Sequence, residues 1–172
     1  MNNLACILPS AIAFIGLVVA IFKLVDDAKR SRFQSGVSIV LKFSEQFDSE
    51  EMQGSRKTAA SAIKLHKNSK QPADMKAVDD VLDFFETVAY LAKKDGIDKE
   101  FAWHTFYYWL HRYFLLCQGY IFAIQEKDKA RWEDLCWLHT ELNAIEELRG
   151  GKNNDLKVGD YRLTEFIEEE LS

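Results

Sequence analysis

The side chains in this sequence best suited to catalysis or metal binding are four histidines and three cysteines. Their spacing decides what they can do. Cys136 and His139 stand one helical turn apart, and His104 and His111 stand two turns apart on one face. A metal site in a helical bundle normally adds Glu-x-x-His pairs, and no histidine here has a glutamate three residues before it. Glu100 and His104, four apart, could make a carboxylate–imidazole pair. Reduced core thiols and hydrogen-bonded histidines account for the same residues at less expense, so neither a metal nor a cofactor is expected.

Nucleophilic chemistry fares no better. Cys117 or Cys136 could pair with His111 or His139, but no segment offers a recognisable oxyanion-binding turn. Both cysteines fall on apolar rows, where a thiol usually serves as a small hydrophobe. The eight glycines never approach G-x-x-x-x-G-K or G-x-G-x-x-G, so no phosphate loop is expected. The chain is therefore not expected to be an enzyme.

Two other constellations stand out. Asp83, Glu86, His104, His111 and Arg112 are embedded in strongly apolar helical stretches. Buried charge is expensive unless paired, so carboxylates on the third helix are expected to meet Arg112 and a histidine on the fourth. Such a network either clamps the register of two helices or lines a ligand pocket. The second constellation is basic. Between Met52 and Pro72 lie Arg56, Lys57, Lys64, Lys67 and Lys70, with His66 and no acidic residue. Arg56, Lys57, Lys64 and Lys67 could rest on anionic lipid, pair with an acidic part of the chain, or face water. No aromatic interleaves them, which argues against nucleic acid, as does the net charge of −5.

Helices must position these groups. From residue 26 onward no run alternates as a strand does, whereas apolar residues recur every three or four positions. Phe33, Val37, Val40, Leu41 and Phe47 mark a first helix. Asp48 and Ser49 are expected to cap a second, with Met52, Ala59, Ile63 and His66 along one side. A loop is expected over Asn68–Pro72. Asp74 should cap a third helix with the rows Val78-Leu82-Phe85-Ala89 and Val81-Phe84-Val88-Leu91, ending at Gly96. Asp98 should cap the fourth, where ten of the chain's twenty-two aromatics fall between Phe101 and Phe122. That helix is apolar over most of its circumference and is expected at the centre of the body. Reading it as a second membrane span is disfavoured by His104, His111, Arg112 and Gln118 in its middle. A fifth helix is expected from about Ala130 to Arg149, stopping at Gly150-Gly151, with a polar tail and a short acidic helix after Thr164.

Ahead of these, Leu4 to Phe22 is uncharged for nineteen residues, about 28 Å of helix, close to the thickness of a bilayer's hydrocarbon core. A cleaved signal peptide would want basic residues before this run and a small-x-small site after it, and neither is present. A buried core helix would show a polar face. A retained transmembrane helix is the expectation. Lys23, Lys29, Arg30 and Arg32 follow it and place the body in the cytoplasm by the positive-inside rule. Unpaired cysteines agree with that compartment.

The balance of the 172 residues fits one domain with an appendage. Hydrophobic residues at 48%, charged at 28% and two prolines exclude a disordered chain, and a mean hydropathy of −0.22 excludes a multi-spanning one. Residues 1–71 carry +4 and residues 72–172 carry −9, so the two parts face different surroundings or each other. The fold expected is all-α: a transmembrane anchor over 1–25, a juxtamembrane helix over 26–47, an antiparallel bundle of about four helices over 48–149, and a polar, acidic tail over 150–172.

A family resemblance follows from the order of short motifs. Gln46-Phe47-Asp48-Ser49-Glu50-Glu51-Met52 with Arg56 and Ala59-Ala60 come first, then Val81-Leu82-Asp83-Phe84-Phe85-Glu86 and Gly96-Ile97-Asp98. Trp103-His104-Thr105-Phe106, Trp109, Arg112-Tyr113 and Trp132-Glu133-Asp134-Leu135 complete the series. Over roughly residues 30–148 the chain resembles an uncharacterised family of bacterial, N-terminally membrane-anchored helical proteins, a domain of unknown function. The resemblance implies an all-helical body behind an anchor in the bacterial inner membrane. It carries no activity, cofactor or partner. The function expected is interaction with a protein partner as a scaffold, with a ligand- or signal-sensing effector as the alternative.

Overall fold

The computed structural model describes residues 4–69, 75–150 and 158–172, and side chains over 22–67, 75–150 and 158–172. Among the described residues there are six helices and no strand: α1 (Leu4–Phe47), α2 (Glu50–Ser69), α3 (Lys76–Lys93), α4 (Lys99–Gln125), α5 (Glu133–Leu148) and α6 (Asp160–Leu171). No helix of the described residues is long and apolar enough to cross a membrane. The run on which a span is expected lies, up to residue 21, outside the residues whose side chains are described.

α1 is one continuous helix, and the stretch from Phe22 to Ser35 is exposed on every side, a stalk of about 20 Å by helix rise. It meets the body at Gly36. A Cβ there would stand 3.3 Å from the carbonyl oxygen of Gly96, so glycine permits the close approach. Val40 and Phe47 then enter the core, where the Phe47 ring lies 5.2 to 6.0 Å from Phe84, Phe85, Phe106 and Trp109. Aromatic pairs at such spacings add to simple burial, and they fasten the end of α1 to α3 and α4.

Each break between helices has a local cause. Ser49 Oγ accepts from the Met52 amide, capping α2 as expected, and Glu50 and Glu51 complement its dipole. α2 runs to Ser69, past Asn68 where a loop was expected. Met75 occupies the N-cap of α3, and the expected cap, Asp74, lies outside the described residues. α3 ends in a Schellman turn in which Gly96 N–H reaches Leu91 O at 2.8 Å. The left-handed residue is Asp95 (φ 55°), not Gly96. Asp98 caps α4 by accepting from Glu100 and Phe101 amides at 2.9 and 3.1 Å. α5 starts at Glu133, three residues later than the spacing suggests, because Trp132 adopts φ 55°. Gly150, at φ 81°, follows its last turn.

α3 packs on α2 and α5 through a face in which Val78, Val81, Leu82, Phe85, Val88 and Ala89 are all buried. α4 packs against α1, α3, α5 and α6, which explains an apolar circumference on a helix bearing histidines and an arginine. The C-terminal segment departs most from expectation. α6 begins at Asp160, before Thr164, and inserts Leu163, Phe166 and Ile167 against α2 and α4. The residues read as a polar tail thus contribute to the core, since four apolar positions at helical spacing, Leu171 included, share one side of α6.

Candidate interaction surface

The basic face of α2 is covered by α6. Arg56 Nε lies 3.2 Å from Glu170 Oε2, with both side chains largely buried. Lys64 Nζ meets Glu168 at 2.6 Å, Lys67 Nζ meets Asp160 at 3.7 Å, and Lys57 Nζ donates to the Ser172 carbonyl at 3.4 Å. These pairings run α6 antiparallel to α2. Arg56, Lys64 and Lys67 thus pair with carboxylates of the C-terminal helix and Lys57 with the Ser172 carbonyl, while Lys57 and Lys67 stay exposed. The physical reason is the proximity of five acidic residues between Asp160 and Glu170 to the chain's one long acid-free basic stretch.

α4 forms the other wall. Tyr108 Oη donates to Glu169 and Tyr113 Oη donates to Glu170, each at 2.8 Å. Burial, then the neighbouring Glu170 carboxylate, pushes the Tyr113 phenol far up, so it stays a donor. The Arg56 guanidinium also stacks 4.3 Å above the Phe47 ring, tying the groove to the end of α1. A cleft of about 350 Å³ opens where α6 begins, floored by Ile63, Leu116 and Cys117. Burial pushes the Cys117 thiol up to about 12, which keeps it protonated and unreactive at neutral pH.

The five residues expected to form one buried polar network are not brought together. Asp83 accepts from Trp132 Nε1 at 2.7 Å and from Arg131 at 2.9 to 3.0 Å. Glu86 accepts from the amides of Asp134 and Leu135 at 3.3 and 2.6 Å, which caps α5 from another helix. Burial raises its carboxyl pKa, against those two hydrogen bonds. Both carboxylates therefore turn to α5 and seat its start, with Asp83 holding the left-handed Trp132 in place. Arg112 is buried but donates to the Tyr108 carbonyl of its own helix at 2.9 Å, and its guanidinium lies 3.6 Å over the Tyr108 ring. His104 is exposed. The pairing of Arg112 with α3 carboxylates is thus corrected: the groups that satisfy Asp83 lie in the turn before α5, and the backbone of α5 itself satisfies Glu86.

His111 is joined instead by a residue the network reading omitted. His111 Nδ1 and His139 Nε2 are 2.9 Å apart, their ring planes within 11° of parallel, and the Phe114 ring stacks on His139 at 3.8 Å between centroids. Asn143 Nδ2 also approaches His139 Nε2 at 3.3 Å, while Tyr107 Oη donates to Asn143 Oδ1 at 2.9 Å. An amide nitrogen only donates, so His139 Nε2 accepts and His111 Nδ1 donates. Burial, then the neighbouring His111, pushes His139 down to about 3. The available signal was a histidine flanked by apolar residues in each helix, His111 near Leu110 and Phe114 and His139 near Leu138 and Leu142. The remaining candidate ligands are dispersed: Cys136 accepts from Gln125 Nε2, and Glu100 pairs with Arg149. Among the described residues no three His, Cys, Asp or Glu side chains cluster so as to hold a metal.

Comparison with known proteins adds no activity. No curated protein and no solved structure matches the chain. The family described as Domain of unknown function (DUF4760) matches residues 10–142, from within α1 into α5, and α6 lies beyond the matched segment. The chain belongs to the DUF4760 family.

Proposed function

We propose that this protein is a membrane-anchored helical module that binds a protein partner through the α2/α4 groove. The observation that carries the reading is the groove's present occupant. α6 is an amphipathic helix seated by an apolar row and by charge complementarity, the mode in which a groove takes a peptide helix. Anchoring is supported by the uncharged run Leu4–Phe22 and by the basic residues after it, which favour a cytoplasmic body at a bacterial inner membrane. The exposed stretch Phe22–Ser35 would then hold the body about 20 Å from that surface. The reading involves no enzymatic step, no cofactor and no nucleic acid.

Fractionation and co-purification test it together. The full chain should stay with membranes through carbonate extraction and leave detergent with one protein in fixed stoichiometry. A reporter fused after Ser172 that works only in the cytoplasm should be active. A freely soluble chain would remove the anchor. A retained small molecule in place of a protein would favour the sensing alternative, for which the 350 Å³ cleft beside Cys117 is the candidate pocket.

A further inference from the structure

We infer that the α2/α4 groove is a receptor for an acidic amphipathic helix of a partner protein, and that α6 is its built-in competitor. The inference rests on the interaction reading above and specifies the partner's chemistry.

Three features of the seam carry it. First, recognition is spread over both walls. Consecutive residues of a helix point about 100° apart, and here Glu168 goes to Lys64 on α2, Glu169 to Tyr108 on α4, and Glu170 to Arg56 and Tyr113 on both. A helix presenting Leu163, Phe166 and Ile167 inward, followed by three carboxylates, is thus read by register as well as by charge. Second, α6 does not saturate the site. Arg56 Nη1 is buried and has no hydrogen-bond partner among the described residues, and Arg56 Nε faces Glu170 off the hydrogen-bond line. A cleft of about 430 Å³ lies beside it, between Gln53, Gly54 and Glu169. A partner helix that places a further carboxylate or carbonyl there gains what α6 forgoes. Third, α6 is built to leave. It has 12 residues, a length marginal for an isolated helix, and two of its ion pairs are solvent-exposed. Its advantage is tethering, an effective concentration of order mM for a short linker.

The test uses the full chain in detergent and two fluorescent probes: a peptide of residues 158–172, and a designed helix carrying only the three apolar residues and three glutamates in the same register. The unaltered chain should bind both weakly, because α6 competes. Replacing Phe166→Asp in the chain opens the groove and should tighten both probes at least tenfold. The pair Glu168→Lys and Glu170→Lys, which reverses one exposed and one buried charge of the seam, serves as a second opening variant if Phe166→Asp misfolds. Adding Lys64→Glu to the opened chain should remove binding, and a peptide with Glu168→Lys should restore it. The inference fails if opened chains with unchanged helical content bind neither probe, if they bind the 158–172 peptide but not the designed helix, if they exchange α6 into a dimer and ignore the probes, or if anionic phosphatidylglycerol vesicles bind and the probes do not. A co-purifying partner that an opened chain retains equally well, and that Lys64→Glu does not release, would leave the interaction reading intact and overturn this site alone.

Discussion

Two seams of this protein are polar, and they are polar in opposite ways. Between α4 and α5, Tyr107, Asn143, His139 and His111 form a largely buried chain of hydrogen bonds. Between α2 and α6, a short apolar row is framed by charges, of which only Arg56–Glu170 is buried. Buried hydrogen-bond ladders are little screened by salt and costly to open, because every group left unpaired loses its solvation. Exposed ion pairs are each worth less than about 1 kcal/mol and weaken with salt. On this account the first seam should open only with the whole body, and the second should open without unfolding it.

The sharpest break of the permanent side is Phe106→Ala. This ring is buried among Phe47, Phe84 and Phe85, and its loss should cost about 3–5 kcal/mol in denaturant unfolding of the whole body. The sharpest break of the detachable side is Arg56→Ala, which leaves Glu170 buried without its cation. About 3 kcal/mol should be lost from α6 docking, read as proteolytic sensitivity near 158–172, while α3–α5 remain folded.

Acid sharpens the contrast. His139 holds its proton only below about pH 3 when folded but near 6.5 otherwise. Its lowered folded value means the unfolded chain takes up the proton first as pH falls. The contribution of His139 to stability is therefore constant above about 6.5 and declines between 6.5 and 3, by roughly 2 kcal/mol at pH 5. His139→Gln should flatten that decline, as followed by chemical unfolding at several pH values. The smallest effect belongs to Lys64→Gln, with roughly 0.2–1 kcal/mol lost from α6 docking at low salt and nothing measurable at 1 M.

Much of this was legible in the sequence, and the failures share a cause. The row Val78-Leu82-Phe85-Ala89 and the ten aromatics between Phe101 and Phe122 placed α3 and α4, because burial imposes the helical period directly. Asp98 was legible as a cap because capping is local. The partners of Asp83 and Glu86 were not, since they lie in the turn at Arg131–Trp132 and in the α5 backbone, where no periodicity points. The basic face was visible on α2, but its partner sits about a hundred residues later in a segment whose charge outweighs its apolar row. Leu163, Phe166 and Ile167 carried that signal at i, i+3 and i+4.

Hydrogen exchange on the full chain tests the central claim, that α6 is a separately docked element on a permanent body. Backbone amides of residues 160–171 should exchange at least tenfold faster than those of α4, and raising salt from 0.1 to 1 M should accelerate α6 alone. Equal protection of α6 and α4, unmoved by salt, would make the C-terminal helix an integral part of the fold and contradict the account.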